Sequence, residues 1–474
     1  MELTLAHWLY LIGTVVIVIT MVFKKNVVVP ALLSIFFIAW VYSGSIIDGI
    51  QAVFNANLAA AVELFHIFLI IAVMTALLES IRAIGADEQM VKPFQTFMKN
   101  GFLSYWILVV ITYFLSLFFW PAPAVPLIGA LLIPVAIKAG LPPLGAALAI
   151  SIAGHGMALS SDFILKVAPE LTASASPELS AAVIGEQTLI LSLVAGAVAL
   201  TISYFLIRKS IKKPSEENLK QWENSEDADL DLGKEDIEVK KGKHSFVFAI
   251  LIPVIFLIIV TYVVLATFTN IVPNIEDGAG AALVGGTAII LLILTSVFRN
   301  VKQSLQNVSD HITKGFVFAF KVMGLVIPIA AFFFIGNEQF AGQIFGTGEN
   351  ETPSFLFDLV QAGESYIPNH PLFTAFGILI LGMITGIDGS GFSGLPLVGS
   401  LSGSLAVTGA DPAVLASIGQ VGAIWVGGGT LVAWSPIIAI AGFAKISIIE
   451  LVRKSFIPVC IGLIVATIFA VIVF

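Results

Sequence analysis

Two aspartates, one histidine and a set of hydroxyls on glycine-rich breaks are the residues of this chain that could do chemistry in an apolar setting. Asp388 ends an apolar run and is followed by Ser390-Gly391-Phe392-Ser393-Gly394-Leu395-Pro396. Asp162 follows Gly154-His155-Gly156-Met157-Ala158-Leu159-Ser160-Ser161, and a third break reads Gly427-Gly428-Gly429-Thr430. Ionisable groups inside a membrane are costly and functional by default. Each aspartate could carry a coupling proton, help to coordinate Na⁺, or cap a helix end. His155, whose type titrates near about 6.5, could carry a proton or serve as a structural histidine. Hydroxyls and bare amides at a helix N-terminus suit an anion. Three consecutive glycines leave carbonyls for a cation or amides for a carboxylate, unless they serve close helix packing.

These residues lie on segments that recur. An offset of 270 (126 to 396) places Pro126-Leu127-Ile128-Gly129 on Pro396-Leu397-Val398-Gly399, and Ser160 then meets Thr430. The stretch Trp120-Pro121-Ala122-Pro123-Ala124-Val125-Pro126 falls on the Ser390 to Pro396 break. Three prolines so close, Pro121, Pro123 and Pro126, predict a helix break, since each removes a donor and clashes with the preceding turn. Gly391, Gly394 and Pro396 predict its counterpart. Paired interruptions in corresponding halves point to a transporter's binding site.

The chain has 474 residues, 58% hydrophobic and 11% charged, with mean hydropathy +1.01. Soluble domains carry about 25% charged residues, so the composition predicts an all-α polytopic membrane protein. Apolar runs of helix length fall at 6–23, 27–44, 58–80, 103–119, 126–138, 143–160 and 183–207. The second half repeats the series at 246–268, 280–297, 315–336, 371–388, 395–408, 412–431 and 456–473. Of the 23 Lys and Arg, 21 fall in alternate loops, all but Lys166 and Lys321. The positive-inside rule makes that side cytoplasmic and both termini extracytoplasmic. An odd number of crossings per half makes the two repeats inverted.

The domains expected are a first repeat at 1–207 (scaffold helices 1–100, transport elements 101–207) and a charged linker at 208–245. The second repeat covers 246–474: scaffold 246–336, an acidic extracytoplasmic loop 337–370, and transport elements 371–474. The linker, with 19 charged residues among the 36 from Arg208 to Lys243, predicts a flexible, solvated cytoplasmic connector. Cys460, the sole cysteine, rules out an internal disulfide and is expected as a buried small side chain. Lys24-Lys25 follow the first apolar run, unlike a cleavable signal. Glu63, His66 and Lys321 occupy the third helices of their repeats, and Lys321 is expected to pair with an acid or face the cavity. Trp434 could close the site or anchor at the interface. No phosphate loop, dinucleotide fingerprint, His-Glu-x-x-His or nucleophile elbow occurs, and nothing predicts an enzyme or a nucleic-acid partner.

At the paired breaks the chain resembles the ion transporter superfamily of secondary carriers, and the resemblance covers nearly the whole chain. It implies inverted repeats, a membrane hairpin and a broken helix in each, and elevator-type motion against the scaffold. Substrate would bind between the hairpin tips and the unwound segments: Ser390 and Ser393 at the second tip, Ser160 and Ser161 on the first unwound segment, Gly427, Gly428, Gly429 and Thr430 on the second. It also implies a homodimer through scaffold helices. The function expected is secondary transport of a small organic anion, a carboxylate, coupled to H⁺ or Na⁺, with no cofactor beyond that ion. The alternatives are a cation/proton antiporter using Asp388 and Asp162, and a channel.

Overall fold

The computed structural model describes residues 3–23, 25–224, 245–268, 272, 279–324, 326–336, 338–347, 354–363, 370–388, 391–408, 410–432 and 435–474. Among the described residues the secondary structure is helical, without strands. Helices α1 (Leu5–Val22), α2 (Val28–Ser43) and α3 (Ile46–Ala83) come first, then the short α4 (Ala86–Gln95). Next are α5 (Gly101–Phe119), α6 (Pro121–Lys138), α7 (Pro143–Ser161), α8 (Val167–Ala173) and α9 (Ala181–Ile207). After α10 (Glu216–Glu223) the second half begins with α11 (Ser245–Phe268), α12 (Ala279–Arg299), α13 (Ser304–Met323) and α14 (Val326–Phe334). Two short helices, α15 (Glu338–Phe345) and α16 (Phe355–Gly363), lead to α17 (Pro371–Thr385), α18 (Leu395–Ser404), α19 (Pro412–Gly427), α20 (Ser435–Ala444) and α21 (Ile448–Val473).

Local chemistry sets the boundaries. Asn100 accepts the amide of Leu103 at 2.9 Å to start α5, and Asp411 accepts that of Ala413 at 2.8 Å, ahead of Pro412 at N1, to start α19. Both satisfy amides that helix geometry orphans. Ser45 caps α3 and starts it at Ile46, twelve residues ahead of the expected 58, because the apolar face extends to the cap.

Among the described residues five helices are long and apolar enough to cross a membrane: 101–119, 143–161, 181–210, 282–299 and 448–473. The rest of the apolar helices are shorter or bent. α3 packs along α13 and against α2, α12 and α14. The other body is built from α5 to α9 and α17 to α21, with α17 along α19 and α9 along α21. Within it α6 packs on α20 and α18 on α8, so the second helix of each series lies on the fourth helix of the other.

Five expectations change. The helix runs without interruption through Pro121, Pro123 and Pro126. The break is one residue earlier, at Trp120 (φ 59°, ψ 154°). Pro121 and Pro123 stand in the first turn, where the missing amides would be orphaned anyway, and Pro126, one turn further in, removes one intrahelical bond without ending the helix. The linker is folded over its first part: Lys212 N–H donates to Gly140 O and Ser215 N–H to Lys138 O, each at 2.9 Å, and Trp222 Nε1 donates to Ala444 O at 2.9 Å. Lys445 Nζ donates to Glu223 O at 2.8 Å and sits over the Trp222 ring. Lys321 is exposed on α13 and pairs with no acid among the described residues, because its position falls away from the face on which Gly315 meets Ala72 of α3. The expected acidic loop 337–370 contains α15 and α16, and Asp358 of α16 meets His7 of α1 at 3.1 Å. Cys460 is half-buried.

Candidate functional site

The breaks of the two halves converge. Trp120, the residue before α6, stacks on Phe392, which lies between Gly391 and α18, with ring centroids 5.2 Å apart and planes at 26°. Each break then leans on the second helix after it in its own half. A Cβ on Gly154 of α7 would stand 3.5 Å from Pro121 Cβ, and one on Gly391 would stand 3.0 Å from Ile424 Cα of α19. Gly391 has φ +72°, open to glycine without strain. These two contacts are related by the same offset of 270 (121 to 391, 154 to 424).

α7 and α19 cross at this place. A Cβ on Gly156 would stand 2.9 Å from the Trp425 ring, and one on Gly428 would stand 2.5 Å from the His155 carbonyl oxygen. Gly156 therefore admits the indole ring and Gly428 the opposing backbone carbonyl, as in close membrane-helix packing. α19 ends at Gly427, and residues 428–432 are not helical. Gly429 turns with φ +90° against Ile437. The expected unwinding is thus present in the second half. In the first, the sequence from Gly154 to Ser161 stays helical: residues Ser151–Ala158 widen into a π-helix, and the break comes at Asp162 (φ 37°). Widening keeps backbone groups paired where an unwound chain would strand them.

A buried network ties the crossing together. Trp425 Nε1 donates to Ser160 Oγ at 2.9 Å, Ser160 Oγ pairs with Ser192 Oγ of α9 at 2.7 Å, and Gln420 Nε2 donates to Ser160 O at 3.1 Å. Thr172 of α8 donates to Gln420 Oε1 at 2.8 Å, and Ser417 donates to Gln187 Oε1 of α9 at 2.9 Å. Thr430 Oγ1 donates to Trp425 O, and Ser455 of α21 donates to Thr430 O, both at 2.5 Å. Ser160 and Thr430 are fully buried and share Trp425 as a partner.

The remaining candidates separate. Ser161 is buried and donates to Ala158 O within its own helix at 3.1 Å. Ser393 is buried beside Phe392, and Pro396 lies in the first turn of α18. Asp162 is buried, and its Oδ2 accepts the Ala168 amide at 2.8 Å, so it caps α8. His155 is buried, and neither ring nitrogen has a hydrogen-bond partner among the described residues. Glu63 is exposed on α3; His66, also exposed, reaches Glu170 of α8 at 3.7 Å. Ser390, Trp434 and linker residues 225–244 lie outside the described residues, as does the side chain of Asp388. Among the described residues no group of three or more His, Cys, Asp or Glu could hold a metal ion.

Gln420, Gln187, Trp425 and the Trp120–Phe392 pair were not anticipated. Gln420 could have been found as an amide inside an otherwise apolar run; the aromatic pair, 272 positions apart, carried no local signal.

No family model matches the sequence. The uncharacterized membrane protein YhfA of Bacillus subtilis (strain 168) is 35% identical over 468 residues, covering 98% of this chain and 97% of that protein. Among solved structures, the YdaH transporter of Alcanivorax borkumensis matches with a TM-score of 0.52 at 15% identity, over 90% of this chain and 88% of that one. The chain is accordingly a multi-pass membrane protein with an all-α fold like that of a transporter.

Proposed function

We propose that this chain, which belongs to the family of the Bacillus subtilis membrane protein YhfA, is a secondary active transporter of a small organic anion. The observation that carries this reading is the convergence of two pairs of helix breaks: the tips at Trp120 and Phe392 beside the crossing of α7 and α19. Interrupted helices deep in an apolar bundle are retained where they surround a solute path. The repeated 270 offset of the Pro121–Gly154 and Gly391–Ile424 contacts supports two copies of one unit, oriented oppositely as the loop charges require. It also supports kinship with ion transporter superfamily carriers. In this reading α5 to α9 and α17 to α21 move together past a scaffold of α1 to α3 and α11 to α14, an elevator. A carboxylate suits a site with hydroxyls, amides and imidazole and without Lys or Arg among its named groups. The coupling ion is H⁺ or Na⁺.

The test is uptake by the purified protein in proteoliposomes. Saturable, gradient-driven accumulation of a carboxylate supports the reading. Non-saturating ion flux would mark a channel, and a pH gradient collapsed by Na⁺ alone would mark a cation/proton antiporter.

A further inference from the structure

Beside the closed Ser160 network lies a seam whose polar atoms have bonding capacity to spare. Thr112 Oγ1 and Ser116 Oγ of α5, Ser151 Oγ of α7 and both ring nitrogens of His155 are buried and have no hydrogen-bond partner among the described residues. The four side chains belong to residues at most 2% exposed. Gly154 brings the two helices together here: a Cβ on it would stand 3.0 Å from Thr112 Cγ2 and 3.3 Å from Ser116 Oγ. The same glycine touches the Pro121 tip, and the His155 carbonyl meets Gly428. The seam therefore adjoins the first tip and the unwound end of α19. It also coincides with the π-helical segment, a distortion that recurs at functional sites.

Unpartnered buried polar groups carry the desolvation penalty of an unmade bond, and a cluster of them implies something they serve. Each hydroxyl can donate and accept, and a neutral imidazole offers one donor and one acceptor. Three hydroxyls can donate to a carboxylate. A carboxylate alone would bring an uncompensated charge into a buried site. One proton on the imidazole removes that charge, and the imidazolium then donates from both nitrogens. Resting on the carrier reading above, we propose that this seam binds the carboxylate end of the transported anion together with one proton on His155, so that the loaded site is electrically neutral. The proton joins a ring-nitrogen lone pair on loading and leaves with the anion on release; no covalent bond of the substrate changes.

The titratable groups on the elements packed against the π-helix are few. They are Tyr105 and Tyr113 on α5, Glu186 and Tyr204 on α9, Asp162 at the end of α7, and Lys138 at the far end of α6. Asp162 is engaged with the Ala168 amide. Among the described residues the Tyr113 hydroxyl also has no hydrogen-bond partner, and His155 is the one imidazole in the seam.

The test uses the full chain in proteoliposomes with radiolabelled mono- and dicarboxylates of two to six carbons. Accumulation of a monocarboxylate under an acid-outside gradient, without Na⁺ and indifferent to a valinomycin-set potential, is the expected result. His155→Gln should lose the pH-driven accumulation. Ser116→Ala should raise KM about tenfold, as expected where a hydrogen bond to bound anion is lost, with the pH response kept. Uptake driven by Na⁺ and insensitive to pH, or pH-driven uptake surviving in His155→Gln, overturns this assignment and leaves the carrier reading standing. Movement of no carboxylate under any gradient overturns both. Should His155→Gln fail to fold, the ion and potential dependence of the native protein decides.

Discussion

Trp120 and Phe392 stack with their ring centroids 5.2 Å apart, joining the break before α6 to the break before α18. This contact helps to set how the first break sits against the second. Aromatic pairs contribute about 0.5–1.5 kcal/mol beyond buried area. In a double-mutant cycle, Trp120→Ala and Phe392→Ala should show a coupling of that size in thermal stability. Additive effects would mean that the two tips are held independently.

Ser160→Ala should destabilise far more than Ser161→Ala. The first strands the Trp425 indole N–H and the Ser192 hydroxyl, at about 1–3 kcal/mol for each buried group left unmade. The second loses a bond to its own helix, about 1 kcal/mol or less. Melting of the detergent-purified variants compares them; equal shifts would remove the network from the account of the crossing.

Glycine substitutions should divide by what a methyl group meets. Gly399→Ala would drive a methyl into the Thr172 carbonyl, and Gly428→Ala into that of His155. Overpacking of this kind costs about 1–3 kcal/mol or more. At Gly286 and Gly377 nothing lies within 4 Å, and alanine there should be neutral or stabilise by about 0.5–1 kcal/mol through helix propensity. Expression level and melting temperature read both sets.

The start of the linker should depend on its anchor rather than on its surface charges. Trp222→Ala removes the bond to Ala444 O and the ring under Lys445, and should open residues 208–224 to limited proteolysis. Glu216→Gln breaks the pair with Lys138, but both groups are at least half exposed, so protection should hardly change.

Acid should favour the folded state through Asp87, which lies on α4 outside the apolar spans. Burial pushes its carboxyl above the usual carboxylate range, against the opposing pull of the Glu88 amide and the Arg82 charge. A folded pKa above the unfolded one, about 3.9, means stability fully present below that value and lost as pH rises through the folded one. Asp87→Asn should therefore raise the melting temperature near neutral pH and flatten its fall between mildly acid and neutral conditions.

How far the sequence alone reached differs by element. Length and apolarity marked α5, α9 and α21 within a few residues, apart from the early start of α21, because a helix that must pair its own backbone needs a long apolar run whatever surrounds it. The break at Gly427 to Thr430 was visible for the same local reason: consecutive glycines weaken a helix where they stand. The prolines misled about α6, since Pro121 and Pro123 fall in its first turn, where they cost no bond, and the helix continues through Pro126 at the loss of one. The linker's charge suggested solvent throughout, and the docking of Trp222 on Ala444 was invisible because its partner lies 222 residues away.

By itself, then, the sequence determined an apolar, helical chain interrupted at two places in each half, since helix length, backbone pairing and glycine or proline placement are local matters. Only the tertiary structure decided that Trp120 faces Phe392, that Gln420 and Trp425 close around Ser160, that Asp162 is spent on capping α8, and that His155 has two nitrogens without a partner among the described residues. Those outcomes depend on which surfaces meet when helices far apart in sequence cross, and hydrogen-bond satisfaction is decided only there.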